Sequence, residues 1–212
     1  MLKIEAPKIL NKSDMKESLI IPTSEIQLKK RFIQLIRESF YENKYNLEKP
    51  FLIDESNIKA IKICFEWAKT NENRRKGIFL YGPYGTGKSA IIEGLYKFYS
   101  ELHYQNVDEL YKPLYRTAVK ITTYFGKEND EYWINLCKYC PILFIPEIGR
   151  EALKIFDRNP IEEILSERYD FKRTIVSSCN DIKNLPYSDP AWAYERIYHM
   201  CQVISMKGES KR

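Results

Sequence analysis

The chain has no long apolar run. Nothing in its 212 residues approaches the ~20 consecutive apolar positions that a helix needs to cross a bilayer, so no membrane role is expected. The opening stretch, MLKIEAPKILNKSDMK, holds no continuous apolar segment of the kind that directs secretion, and export is not expected either. Cysteine is sparse: five in all, an odd number, scattered through apolar segments. That pattern argues against a disulfide framework and fits reduced thiols in a cytoplasmic protein. The single C-x-x-C, formed by Cys137 and Cys140 in CKYC, has no second half and no histidine nearby. Two thiols lying close together on a helix near the core are a better reading than a metal or redox pair. Internal repeats and low-complexity tracts are also missing.

What is present suits one globular domain with a substantial core and room for a short extra module, since 44% of the residues are hydrophobic and 30% charged. The net charge of +5 permits contact with nucleic acid without demanding it. Sixteen Tyr and 10 Phe supply core bulk first and base-stacking surface second.

Residues 1 to about 26 mix charge, Pro7 and Pro22 with few apolar positions and read as a loosely held arm. Leu28, Phe32, Leu35, Ile36 and Phe40 then recur at helical spacing. A second stripe follows in Ile58, Ile61, Phe65 and Ala68, with Ser56 as the expected cap. After these two helices comes a strand, GIFLYG, over 77 to 82, and a helix from Gly87 to about Ser100. A second strand lies within YKPLYRTAVKITTYF, whose latter half can turn into helix. ENDEYWINLCKYC reads as a short helix and PILFI as a buried strand. Asn159 is placed to cap the next helix, with Pro160 at its first position and Glu162 closing a capping-box pattern. TIVSS is another buried strand, SDPAWAYERIYHM another proline-started helix, and CQVISMKG a last strand. Strands alternating with helices predict an α/β fold, a parallel sheet covered on both faces.

The stretch GPYGTGKS matches G-x-x-x-x-G-K-[ST], with a strand before it and a helix after it. Its residues Gly82, Pro83, Tyr84, Gly85, Thr86, Gly87, Lys88 and Ser89 are the candidate nucleotide-binding set. Gly85 and Gly87 let backbone N–H groups approach phosphate oxygens, and the positive end of the helix adds to that field. Lys88 can reach the β and γ phosphates, and the Ser89 hydroxyl can bind Mg²⁺. These residues point to a nucleoside triphosphate with Mg²⁺.

The buried run PILFIPE carries its last residues to the carboxyl edge of the sheet, where an Asp would hold the metal's water shell and the following acid would polarise the attacking water. Pro146 stands in the first place and has no side-chain oxygen. Glu147 remains as a candidate base, as a shifted metal partner, or as a solvent-facing residue after a strand. Asn180, just past TIVSS, is placed to sense the γ-phosphate, with Ser178 competing for that role and a simple turn as the alternative. Arg196 can reach a neighbouring subunit's nucleotide, or pair with an acid on its own surface.

Taken together, GIFLYGPYGTGKS, LFIPEIGRE, ILSERYDFKRTIVSSCN, ERI and the terminal GESKR resemble the DnaC/IstB family of AAA+ ATPases, the helicase loaders and transposition helpers, over roughly residues 50 to 212. The resemblance implies a P-loop NTPase of AAA+ type, with a parallel five-stranded sheet flanked by helices. Members commonly lack a helical lid after the sheet, and none is expected here. It also implies an ATPase in the cytoplasm, acting on a DNA replication or mobile-element assembly. Lys88 and Ser89 would belong to Walker A, Glu147 to Walker B, Asn180 to sensor 1, and Arg196 to the arginine finger. Implied partners are ATP and ADP, a replicative helicase or a transposase, single-stranded DNA, and further copies of the chain. Residues 1-45 would form an arm and helix for partner docking, and 46-212 the ATPase domain.

Two departures stand out. Pro146 replaces the Walker B Asp, which weakens the expectation of Mg²⁺-dependent hydrolysis, and the stretch before PILFI is short for the insertion with which such loaders grip single-stranded DNA. An alternative reading is a nucleotide-binding interaction module without hydrolysis. A small-molecule P-loop kinase fits less well, since no clear substrate-binding insertion is present. The basic runs LKKR (28 to 31) and NRRK (73 to 76) are candidate phosphate contacts, although solvated charge is the commoner fate of such runs.

Overall fold

Gly77–Tyr81 (β1) lies inside a five-stranded sheet, between Thr174–Cys179 (β4) on one side and Cys201–Ser205 (β5) on the other. Ile142–Ile145 (β3) and the short Leu114–Tyr115 (β2) complete the order β2-β3-β4-β1-β5, with every pairing parallel. This is the expected parallel five-stranded sheet. The structure, a computed structural model, describes residues 24–42, 51–70, 76–105, 107, 112–124, 130–150, 159–185 and 187–208. Most of the expected N-terminal arm, three residues of the NRRK run, Glu151 and residues 209–212 lie outside the described residues.

Seven helices are seen among the described residues: α1 (Glu25–Glu42), α2 (Ile58–Ala68), α3 (Lys88–His103), α4 (Ala118–Tyr124), α5 (Asp130–Tyr139), α6 (Pro160–Asp170) and α7 (Pro190–Met200). They cover both faces of the sheet because its inner strands alternate. In β1, Ile78 and Leu80 turn to one face and Phe79 to the other; in β3, Ile142 and Phe144 oppose Leu143 and Ile145. The first face packs on α1, α2 and α3 through Phe32, Phe65 and Phe98, whose rings lie within 6.0 Å of one another. The second face packs on α4 to α7 through Ile121, Ile134, Ile164 and Ile197.

The expected stripe on α1 is buried at Phe32, Leu35, Ile36 and Phe40. It lies directly on α3: a Cβ on Gly94 would stand 2.8 Å from the Ile36 Cα, so only glycine allows this approach. Arg31 with Glu101 and Lys97 with Glu42 add ion pairs at the rim of that contact. Helix α1 therefore shares one core with the helix that follows the glycine-rich loop.

Two expected caps differ. The cap of α2 is Asn57, not Ser56, because the Asp54 carboxylate takes both the backbone N–H and the hydroxyl of Ser56. Asn57 turns its side chain back to Leu52 and Asp54 and makes no cap bond. Asn159 does cap α6, accepting from the Ile161 N–H at 2.9 Å with Pro160 in the first turn. Glu162, however, does not close a capping box: its carboxylate accepts from the backbone and hydroxyl of Ser188, tying α6 to the turn before α7. The thiols of Cys137 and Cys140 are both buried near the end of α5, and Cys140 donates to the Cys137 carbonyl at 3.6 Å.

Candidate nucleotide-binding site

The loop between β1 and α3 opens at the carboxyl edge of the sheet, where α/β folds place their ligands. Gly85 and Gly87 both adopt positive φ, 78° and 91°. The chain can thus turn tightly and begin α3 at Lys88, so the N–H groups of the first helical turn point into the cleft. Lys88 is buried at 6% exposure, and its ammonium donates to the carbonyls of Gly82 and Pro83, each at 2.7 Å. Thr86 donates to the Pro83 carbonyl at 3.0 Å and steadies the same turn.

Across the cleft stands Glu147, just past β3. Its Oε1 accepts the Ser89 hydroxyl at 2.8 Å and its Oε2 accepts from Arg150 at 2.9 Å. Its own N–H donates to the Ser178 hydroxyl oxygen at 3.1 Å, and the following Ile148 N–H donates to the Ser178 carbonyl at 2.9 Å. Glu147 has φ of 62°, a left-handed conformation that costs a non-glycine residue about 1–2 kcal/mol and persists only where neighbours over-determine it. Pro146 contributes a carbonyl, which accepts from the Ala118 N–H at 3.4 Å at the start of α4.

Ser178 lies in β4, level with Leu80 of β1, and so between the glycine-rich loop and Glu147. Asn180 follows at the end of β4 and lines the cleft with Gly85, Lys88, Ser89 and Glu147. The structure therefore gathers the loop, Ser89, Glu147, Ser178 and Asn180 into one cleft. Arg196 is elsewhere: its guanidinium is stacked on α7's own Trp192 at 4.0 Å from the ring centre and over Tyr169 of α6 at 4.7 Å. Its Nε and Nη1 are buried and make no hydrogen bond.

Three participants were not picked out beforehand. Phe40, from the far end of α1, lines the cleft beside Tyr84; an amphipathic stripe gives no sign that its last member faces a site. Arg150 lies three residues after Glu147, a spacing legible in EIGR. Tyr115, at the end of β2, has its phenol pushed up by burial and then by the carboxylates of Glu93 and Glu147. In the LKKR run, Lys29 pairs with Glu25 at 2.5 Å and Arg31 with Glu101 at 2.6 Å.

The donor set fits a magnesium ion only in company. Ser89 and Glu147 offer hard oxygens, and among the described residues no group of three or more His, Cys, Asp or Glu could hold a metal without further ligands. Magnesium characteristically takes one or two protein oxygens and completes its shell with phosphate and water.

No protein-family model matches the chain. It is 25% identical over 175 residues to the replicative helicase loader DnaI of Bacillus subtilis, covering 75% of this chain and 55% of that protein, so it spans little more than half of that relative's length. Among solved structures, that of DnaI superposes with a TM-score of 0.60 at 21% identity, over 84% of this chain and 93% of the other. AMPPCP-bound DnaA from Aquifex aeolicus gives 0.59 at 16% identity, over 76% of this chain and 50% of the other. The DnaC helicase loader gives 0.55 at 19% identity, over 74% of this chain and 93% of the other. Sheet order, glycine-rich loop and these superpositions agree, and the chain has a DnaC-like AAA+ fold.

Proposed function

We propose that this chain binds ATP with Mg²⁺ and acts on a DNA replication or mobile-element assembly, with weak hydrolysis of the nucleotide. The observation that carries the reading is the facing of Ser89 and Glu147 across the mouth of the glycine-rich loop. Lys88 is bonded to carbonyls of its own loop, within the segment that would wrap the phosphates. A triphosphate offers it stronger, charged acceptors, so binding would exchange neutral partners for ionic ones. The metal's chemistry when bound would be to neutralise charge on the β and γ phosphates. Asn180 would contact the γ-phosphate from β4.

Likeness to a protein described as a replicative helicase loader supports a helicase as partner, with a transposase as the other candidate. A DnaA structure holding both AMPPCP and single-stranded DNA supports a DNA contact. The ion pairs that Lys29 and Arg31 make with Glu25 and Glu101 leave the LKKR run less suited to the contact than the sequence alone implies. We place the protein in the cytoplasm; no helix among the described residues is long and apolar enough to cross a membrane. Residues 1-45 are the proposed docking segment. Arg196, which does not line its own cleft, would serve a neighbouring copy's nucleotide.

Pro146 favours a second reading, a switch that binds ATP without turning it over. Calorimetric titration of ATP followed by phosphate release tests both. Lys88→Ala is expected to weaken ATP binding by at least about tenfold, the loss of one charge-assisted hydrogen bond. Under the first reading slow release rises with protein concentration and the rise disappears in Arg196→Ala, with affinity unchanged. Under the second, binding persists and no phosphate appears. A native chain that does not bind ATP would end both.

A further inference from the structure

A P-loop site of this kind has two tasks for acids at the end of β3: one holds the metal's water shell, the other polarises the attacking water. Among the described residues lining the cleft, Glu147 is the one carboxylate. Asp181, one residue past Asn180, is turned to the Lys183 N–H and the Asn184 side chain. Glu93, one turn along α3 from Ser89, is paired with Lys97 at 3.2 Å and bonded to the Tyr115 hydroxyl. One acid must therefore do one task, and the geometry says which. Its Oε1 is aimed at the Ser89 hydroxyl, the side-chain oxygen best placed to ligate the metal. Its Oε2 is occupied by Arg150. Its backbone is pinned by Ser178 in a left-handed conformation that swings the side chain toward α3. A base must aim an oxygen at water on the γ-phosphate side; here Oε1 is aimed at Ser89 and Oε2 at Arg150.

We propose that Glu147 is the metal-orienting carboxylate of this site, in the place that Pro146 leaves without an oxygen, with Ser178 and Arg150 as its positioning residues, and that no second carboxylate among the described residues fills the base position. The inference rests on the nucleotide reading above and deepens it: ATP is held with its metal and hydrolysed slowly because Glu147 is committed to the metal and no other described carboxylate lines the cleft to activate the water, rather than because the metal is poorly held. Slow hydrolysis and firm Mg²⁺-dependent binding then belong together.

The test is the Mg²⁺ dependence of ATP affinity, measured by calorimetry on the full chain with Mg²⁺ and with EDTA, and checked by Mn²⁺ paramagnetic resonance in the presence of ATP. Mg²⁺ is expected to tighten ATP binding to the native chain. Glu147→Gln is expected to lose about 10–100-fold of metal affinity, the usual cost of removing a group that orients a metal shell, while binding in EDTA stays within about twofold. Pro146→Asp in the Glu147→Gln background is expected to restore the Mg²⁺ dependence, which a merely structural role for Glu147 would not allow. Ser178→Ala and Arg150→Ala are expected to weaken it partly. If Glu147→Gln keeps the full Mg²⁺ dependence and loses only phosphate release, Glu147 is the base and the proposal fails while nucleotide binding stands. If the native chain binds ATP neither with Mg²⁺ nor in EDTA, the underlying reading fails and the proposal falls with it.

Discussion

Phe51 presses its ring against Gly87 so closely that a Cβ added to the glycine would stand 2.5 Å from the ring edge. Phe51 is fully buried and packs in turn on Phe40 of α1, ring centres 5.1 Å apart. The turn that would hold phosphates is thus braced by the segment before α2 and, through it, by the N-terminal helix. Events on α1 have a short physical route to the nucleotide loop.

Gly87→Ala should accordingly fail twice over. The left-handed backbone at φ 91° penalises alanine, and the new methyl meets a ring with no room to move. A loss of about 2–4 kcal/mol in urea unfolding is expected, summing strain and overpacking, with ATP affinity reduced as the loop distorts. In a Phe51→Ala background, itself destabilised by the cavity left in the core, Gly87→Ala should cost only the conformational share. No further loss relative to Phe51→Ala alone would show that the conformation at residue 87 carries no cost.

Much of the scaffold was legible because its signals are local. Phe32, Leu35, Ile36 and Phe40 announce a helix by spacing alone, Asn159-Pro160 announces a start by cap chemistry, and the unbroken apolar runs of β3 and β4 announce burial on both faces. β2 was indistinct because two residues at a sheet edge have no period to read. Ser56 and Glu162 misled because each side chain found a partner nearer in space than the one its sequence position offered: Asp54 for the first, Ser188 for the second. Within the site, the glycine-rich loop carries its own pattern, whereas the engagement of both Glu147 oxygens depends on residues 58 positions back and three ahead. Arg168 is the extreme case. Nothing in SERYDF says that this arginine, alone among its charged neighbours, is completely buried.

That burial carries the next expected outcome. Arg168 donates to the carbonyls of Cys137 at 2.8 Å, Lys138 at 3.2 Å and Cys140 at 3.0 Å, which end α5, and to that of Thr174, which begins β4. Burial holds its guanidinium below the ordinary arginine range. One side chain thereby satisfies a helix end that has no solvent and fastens it to the sheet. Arg168→Ala would strand those oxygens around a cavity, and a loss of about 3–5 kcal/mol is expected in urea unfolding. Arg168→Lys should recover little, because a single ammonium cannot span acceptors on both elements as the planar fork does. A lysine variant as stable as the native chain would show that charge alone matters.

The buried thiols predict how the protein fails in alkali. Burial raises Cys64 and Cys137 from an ordinary value of 9.0 to about 12. Folded chains then keep these protons at a pH where unfolded chains have released them. Below about pH 9 both states are protonated and the stabilisation is fully present; as pH rises toward 12, unfolding releases protons and stability falls. Each such thiol steepens the loss by about 1.4 kcal/mol per pH unit across that window. Urea midpoints between pH 8 and 11 should therefore hold level at first and then drop. Replacing Cys64 by Ala, which removes a titrating group at the cost of a small cavity, should lower the plateau slightly and flatten the decline. A decline of unchanged slope in both Cys64→Ala and Cys137→Ala would assign alkaline unfolding to other groups. Iodoacetamide gives an independent check: at pH 8 the folded chain should resist alkylation at both positions, and both should react once urea opens the core.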